Sequence, residues 1–425
     1  MKHQYDSYTL YNCDKNTPMN CRLRFVLKDA IDPQIMEQAA NLVMPRFPYF
    51  AVRVELDASQ SYVLVPNNAP VVVLKDSNKL PALGSARVNQ HLLFISYLDR
   101  EVYFNINHTF GMGGSFFRWA LAVLYQYVTL KYHVSLNCPG IVMPDSSIPD
   151  DELWEPSLEN IPDEEPMFVP KNQNAFFPLK DYLNGILNPF LKSHSYYAFT
   201  FDQKDFMGFA KDNDSSVNSL LVALMLKALA KILPESEEKI TGGISACSTS
   251  ALGHPLAHNF LVRQLHINFD RKQAGLDMAE LGTIARGQMM LQLDESNTFA
   301  ETRRDLKYYA GIDEQNTLKD KKKYAVDSSP LRGKDAFRNS FIVSYSGNFA
   351  LGDLGEYIDS YYAITDGHLQ LEVTANGDKI HLAFQQVIRD TKYVGAFKAA
   401  LDENGIHYQV EGPFKKNLPS LQLPS

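Results

Sequence analysis

Cysteine is scarce in this chain of 425 residues. Cys13, Cys21, Cys138 and Cys247 are its four, and no two stand as a CxxC pair. That spacing argues against a zinc site or a disulfide framework and fits a reducing cytoplasm. Long apolar runs are missing too, so no transmembrane helix is expected. The opening stretch Met1–Asp6 lacks the apolar core of a signal peptide. No Walker loop, strand-linked GxGxxG or GxSxG elbow occurs, which removes the usual support for nucleotide-cofactor or serine-hydrolase chemistry. Positive charge is in short supply: the net charge is −8, and nine of the 49 carboxylates fall between Asp145 and Glu165 with no Lys or Arg among them. Elsewhere 41 basic residues face 40 acidic ones, which leaves no footprint for nucleic acid. The acidic stretch reads as a solvated crossing segment.

What the chain does have is apolar and aromatic bulk, 45% hydrophobic with 25 Phe and 22 Tyr. Its length exceeds what one core usually serves, so two subdomains are expected. The pattern alone supports a two-part α/β or α+β chain. Residues 1–135 form the first part, residues 136–180 an acidic, Pro-rich connection, and residues 181–425 the second part. Tyr8–Tyr11 opens a strand, and Cys21–Leu27 alternates as a half-buried strand should. Asp32-Pro33 starts a helix that Pro45 ends. Phe50–Leu56 with Ser61–Pro66, and Leu92–Tyr97 with Val102–Ile106, read as hairpins. Asp214-Ser215-Ser216 caps a helix starting near Val217. Leu369–Asn376 and Lys379–Gln385 form a last hairpin, followed by a helix from Thr391.

The segment Asn107-His108-Thr109-Phe110-Gly111-Met112-Gly113-Gly114 sits between the strand-like Val102–Ile106 and a helical pattern from Ser115 to Tyr132. A strand tip aims the imidazole of His108, the glycines beside it leave room for a substrate, and a helix N-terminus stands close behind. That is a setting for a general base facing a cleft. The segment resembles the His-His-x-x-x-Asp-Gly motif of the CoA-dependent acyltransferase superfamily, which includes chloramphenicol acetyltransferase, alcohol acetyltransferases and condensation domains. Asn107 takes the place of the first His, His108 that of the catalytic His, Gly113 that of the Gly, and Met112 that of the Asp. In the family that Asp pairs with an Arg and braces the loop. A thioether accepts no strong ion pair, but it fills the gap as an apolar plug. Arg22, Arg24 and Arg118 are the candidates for the family's Arg.

Further points of resemblance follow in family order: Ser216–Met225 as the first helix of the second half, Asn259-Phe260 running into the alternating Val262–Phe269, and Phe341–Phe349 as the strand that approaches the base. The resemblance implies two acyltransferase-like subdomains with mixed sheets flanked by helices and a tunnel between them. It implies acyl transfer from acyl-CoA as co-substrate, or from a carrier protein, to a hydroxyl or amine acceptor, with no bound cofactor. His108 is the base. Ser346, Ser344 or Asn348 would donate a hydrogen bond to the oxyanion, Ser346 being preferred because Gly347 permits close approach. The alternative is a noncatalytic relative that binds an acyl chain, a carrier or another partner, with Met112 as its mark. Two other clusters have plainer readings. His254 and His258 have metal-compatible spacing, but even with Asn259 and His266 no ligand set is complete, so a polar loop is expected. Lys321, Lys322 and Lys323 are expected in a solvated loop, with a lesser share for contact with CoA phosphates.

Overall fold

Strict alternation builds the first layer. In β1 (Asn20–Leu27) the side chains of Leu23, Phe25 and Leu27 are buried on one face, while Arg22 and Arg24 fill the other. The computed structural model describes residues 4–14, 18–178, 181, 183, 187, 192–233, 239–330 and 337–425. β1 pairs antiparallel with β6 (Glu101–Asn107), which turns back from β5 (Leu93–Leu98), and β4 (Val73–Lys75) adds in parallel. β2 (Val52–Leu56) and β3 (Tyr62–Pro66) form the expected hairpin as a sheet of their own. Helix α1 (Pro33–Val43) begins where Asp32 accepts the amides of Gln34 and Ile35. It packs beside α2 (Gly113–Tyr132), whose Phe117 meets Phe25 edge-on at 6.0 Å.

Among the described residues the second sheet has seven strands. Its elements in chain order are β7 (Lys192–Asp202), β8 (Lys239–Cys247), β9 (Val262–Asp270), β10 (Phe341–Asn348), β12 (Leu369–Asn376), β13 (Lys379–Ile388) and β14 (Gln409–Lys415), arranged β14-β7-β13-β12-β10-β8-β9. β10 runs parallel to β8 and β12, and the other pairings are antiparallel. One face is apolar and is covered by α4 (Val217–Ile232) and α8 (Lys392–Glu403). α3 (Gln203–Asp212) leads into α4, and α5 (Met278–Gln292) packs against α4 and β9. Mixed sheets flanked by helices, with a cavity between the halves, are the architecture of the molecule.

The halves exchange parts. β11 (Ile358–Ile364) lies in the first sheet, antiparallel to β1, so the sheets do not divide where the sequence division 1–135 and 181–425 does. α6 (Glu295–Asp313) and α7 (Leu318–Ser328) place Tyr308, Tyr309, Ile312 and Ala325 in the first core. Residues after β14 return to the first half, where Leu421 bridges Leu83.

Three local expectations are corrected. Tyr8–Tyr11 belongs to a 3-10 helix, Tyr5–Asn12, because Ser7 and Thr9 donate their hydroxyls to the carbonyls of Gln4 and Asp6 three residues back. The three lysines are helical rather than in a loop: they lie in α7, Lys321 is buried, and none lines the cavity. The acidic segment is irregular apart from a 3-10 turn, Asp150–Leu153, and it is not uniformly solvated, since Glu152 is 2% exposed. Residues 179 and 180 of that connection lie outside the described ones.

Candidate active site

The polar face of the second sheet makes one wall of the cavity. Period-two alternation brings Ser245 and Cys247 of β8, Gln264 and His266 of β9, Ser344 and Ser346 of β10, and Gln370 and Glu372 of β12 to the same side. The opposite wall is the His loop with the start of β1 and the N-terminus of α2. The space between is about 1100 Å³, large enough for a sizeable organic ligand.

His108 follows β6 directly, in a 3-10 turn that runs to Phe110. Its backbone amide donates to the Met19 carbonyl at 2.6 Å. Its Nδ1 lies 2.9 Å from the Gly111 carbonyl. A carbonyl only accepts, so Nδ1 carries the proton and Nε2 is left with a lone pair. Phe116 and Phe260 meet the ring edge-on at 5.5 and 5.0 Å. Burial lowers the pKa below the ordinary imidazole value, against hydrogen bonds in its own loop and the Asp366 charge. The imidazole is therefore neutral at pH 7.

Asn107 is fully buried and serves the turn. Its amide nitrogen donates to Pro18 O at 2.8 Å and Asn20 Oδ1 at 2.7 Å, and its oxygen accepts the amide and hydroxyl of Thr109. Gly111 must be small, since a Cβ there would stand 2.9 Å from Phe116 and 3.0 Å from Phe50. Met112 is 7% exposed and lines the cavity, with its sulfur 3.2 Å from the Cys247 thiol. No arginine waits beside it among the described contacts. Arg22 pairs with Asp76 at 2.7 Å, Arg24 with Glu101, and Arg118 donates to Leu256 O at 2.7 Å.

Gly113 and Gly114 line the cavity at the positive end of α2. A Cβ at Gly113 would stand 3.4 Å from Ser346 Oγ, so Ser346 and the His loop face each other directly. Ser344 lines the cavity and bonds Glu372. Asn348 is exposed and does not line the cavity, which corrects its expected place. The β10–β12 register shifts between Tyr345 and Asn348, and Gly347 sits at φ +107°, so alternation breaks before it.

The sequence reading missed a charged group at this wall. Glu372 is buried, and burial raises its carboxyl to about 7 against hydrogen bonds from Ser344 and Gln370. Burial also raises Asp366, whose Oδ2 accepts the Met19 amide at 3.2 Å. Lys416, 1% exposed, donates to Gly367 O at 2.7 Å; burial lowers it to about 8 against both carboxylates. A signal existed: Gln370, Glu372 and Thr374 alternate with apolar residues in a strand whose other face is core. The three histidines find separate partners. His254 meets Asp151 at 2.7 Å, His258 Nδ1 donates to Glu152 O at 2.6 Å, and His266 meets Asn339 at 2.9 Å. Among the described residues no group of three or more His, Cys, Asp or Glu could hold a metal ion.

No family model matches the chain, and no curated protein matches it in sequence. Solved structures match it in fold. The first condensation domain of the CDA synthetase superposes with a TM-score of 0.60 at 11% identity, over 99% of this chain and 98% of that one. Polyketide synthase associated protein 5 from Mycobacterium tuberculosis gives 0.59 at 11% identity, over 93% and 96%. TRI101 of F. sporotrichioides, complexed with coenzyme A and T-2, gives 0.57 at 12% identity, over 95% and 98%. The chain has the fold that condensation domains share with CoA-dependent acyltransferases.

Proposed function

We propose that the protein transfers an acyl group from a thioester, acyl-CoA or a carrier-bound equivalent, to a hydroxyl or amine acceptor, with His108 as general base. The observation that carries this reading is the Nδ1–Gly111 O contact of 2.9 Å, which frees Nε2 beside a cavity that reaches both halves. The acceptor oxygen or nitrogen attacks the thioester carbonyl carbon as Nε2 takes its proton. The tetrahedral intermediate collapses with cleavage of the C–S bond, and the leaving thiolate takes the proton from Nε2. Ser346 Oγ and the first turn of α2 are the groups we assign to the oxyanion. One such donor contributes about 3 kcal/mol. No protein-bound acyl intermediate is needed. Neighbours in fold have been crystallised with coenzyme A, which agrees with acyl-CoA as co-substrate. A cytoplasmic setting suits the free thiols of Cys13, Cys21, Cys138 and Cys247. Among the described residues no single helix is long and apolar enough to cross a membrane.

Thiol release from a panel of acyl-CoAs offered alcohols and amines tests the assignment. His108→Ala should lower turnover by about 10²–10⁴-fold with the fold intact. Turnover unchanged in that variant removes His108 from the chemistry. A second reading, a binder of acyl chains, carriers or partners without catalysis, is favoured by Met112. It gains if wild type binds acyl-CoA and releases no thiol.

A further inference from the structure

The loop that carries His108 is held from outside its own half. Met112 N–H points to the Ser115 hydroxyl at 3.1 Å and to the His258 carbonyl at 3.4 Å. The Ser115 hydroxyl itself lies 2.8 Å from Met112 O and 3.0 Å from His258 O, sharing one proton between two carbonyls. His258 belongs to the turn before β9. It is fixed in turn by Glu152 of the crossing segment, whose carbonyl accepts both His258 Nδ1 at 2.6 Å and the His258 amide at 3.3 Å.

Glu152 is the hub. Its carboxylate takes a two-pronged bond from Arg46, 2.8 Å on each side, and the Tyr49 hydroxyl at 3.0 Å, with Arg118 at 3.7 Å. Arg46 is 4% exposed, and its Nε reaches Ser146 of the same crossing segment at 3.0 Å. Tyr49 stacks on the His258 ring at 4.2 Å. Burial pushes the Glu152 carboxyl up, but the bonds from Arg46 and Tyr49 outweigh it, and the group stays below the usual carboxylate range. A buried ion pair of this kind is weak evidence for stability, because desolvation offsets much of the attraction. It does fix geometry, since a bidentate fork tolerates little displacement.

We propose that Glu152 and Arg46 are the positioning pair of His108: Arg46 of the first half fixes Glu152 of the crossing segment, which through His258 of the second half and Ser115 supplies the brace that a methionine at position 112 leaves vacant. The chain of contacts ends at Met112, whose amide shares a peptide group with the Gly111 carbonyl, the acceptor that sets the His108 tautomer. The inference rests on His108 being the working base, but its test does not need turnover.

The experiment is nitrogen-15 NMR of histidine-labelled full chain, with the His108 signals identified by their loss in His108→Gln. Wild type should show the single Nδ1–H tautomer. Glu152→Gln keeps the shape but removes the charge, and it should give a mixture of tautomers, as should Arg46→Gln. Arg46→Lys, which keeps the charge without the fork, should fall between. Asp163→Asn breaks an exposed pair with Arg303 in the same segment and should leave the signature untouched. Circular dichroism reports whether each variant folds. If Glu152→Gln does not fold, Tyr49→Phe, which removes one bond to the same carboxylate, takes its place. Retention of the wild-type tautomer in folded Glu152→Gln and Arg46→Gln, or in the replacement, overturns the proposal. Absence of thiol release in wild type would sink the acyltransferase reading and leave this test standing.

Discussion

At position 112 a sulfur stands where a charge would be costly. Met112 is buried against Cys247 at the mouth of the His loop, and Arg22, Arg24 and Arg118 are engaged elsewhere. Met112→Asp therefore buries a carboxylate whose candidate arginines already have other partners. It should lower unfolding stability by several kcal/mol, less if the group takes up a proton, read as a drop in the urea midpoint at constant slope. A midpoint that rises instead would mean that an arginine swings in to meet it. The residue sits as an apolar plug, and the brace proposed for the loop starts from Arg46 and Glu152, both far from the motif in sequence.

Among the elements, the crossing segment departs most from its composition. Nine carboxylates without a cation suggest a solvated strap, yet Glu152 is pinned by Arg46, and Asp151 holds His254 and the Leu256 amide. Residues 162–165 are exposed, and Met167 is too. Limited proteolysis should thus cut near 162–167 well before the 3-10 turn Asp150–Leu153, which mass spectrometry of early fragments would check. First cleavage within 150–154 would contradict the pinning. Local composition could not reveal Glu152, because its cations lie outside the segment, at Arg46 106 residues back and at Arg118 in α2. The unit from β5 to α2, by contrast, is legible. Its period-two strands, its glycines and its helical stripe are all contiguous, so His108 could be placed from sequence. α6 and α7 were not legible: their outer faces carry many charges, and their buried residues serve the other half's core rather than a stripe of their own. Asn348 falls away from the cavity because the β10–β12 register shifts before it, at the positive φ of Gly347.

For the molecule as a whole, buried titratable groups set opposing trends with pH. His258, His266 and His381 are each lowered by burial to about 4. Unfolded histidines bind protons near 6.5, so between about 6.5 and about 4 the unfolded state binds more, and stability falls as pH falls. Glu372 is raised by burial to about 7. Its contribution is fully present below the ordinary Glu value, about 4.3, and is lost as pH rises through about 7, because the folded state binds the extra proton. Above about pH 6.5, where the histidines no longer oppose it, stability should therefore decline to about pH 7 and then level off, and Glu372→Gln should flatten that decline, measured as urea midpoints across the range. An unchanged slope in Glu372→Gln would show that its carboxyl titrates alike in both states.

The returning tail bears on the order in which the chain can mature. Asn20, which props Asn107 and so the His108 loop, donates its amide to Pro419 O, a partner 399 positions later, and Arg22 donates to Asn417 O at 3.0 Å. At a synthesis rate of about 5–20 residues per second, those carbonyls emerge roughly 20–80 s after Asn20. Until they arrive, the half that holds the imidazole keeps an open seam along β1. The His108 loop is thus made well before the segment that locks it, so the geometry around the imidazole is complete only once residues 417–419 have docked.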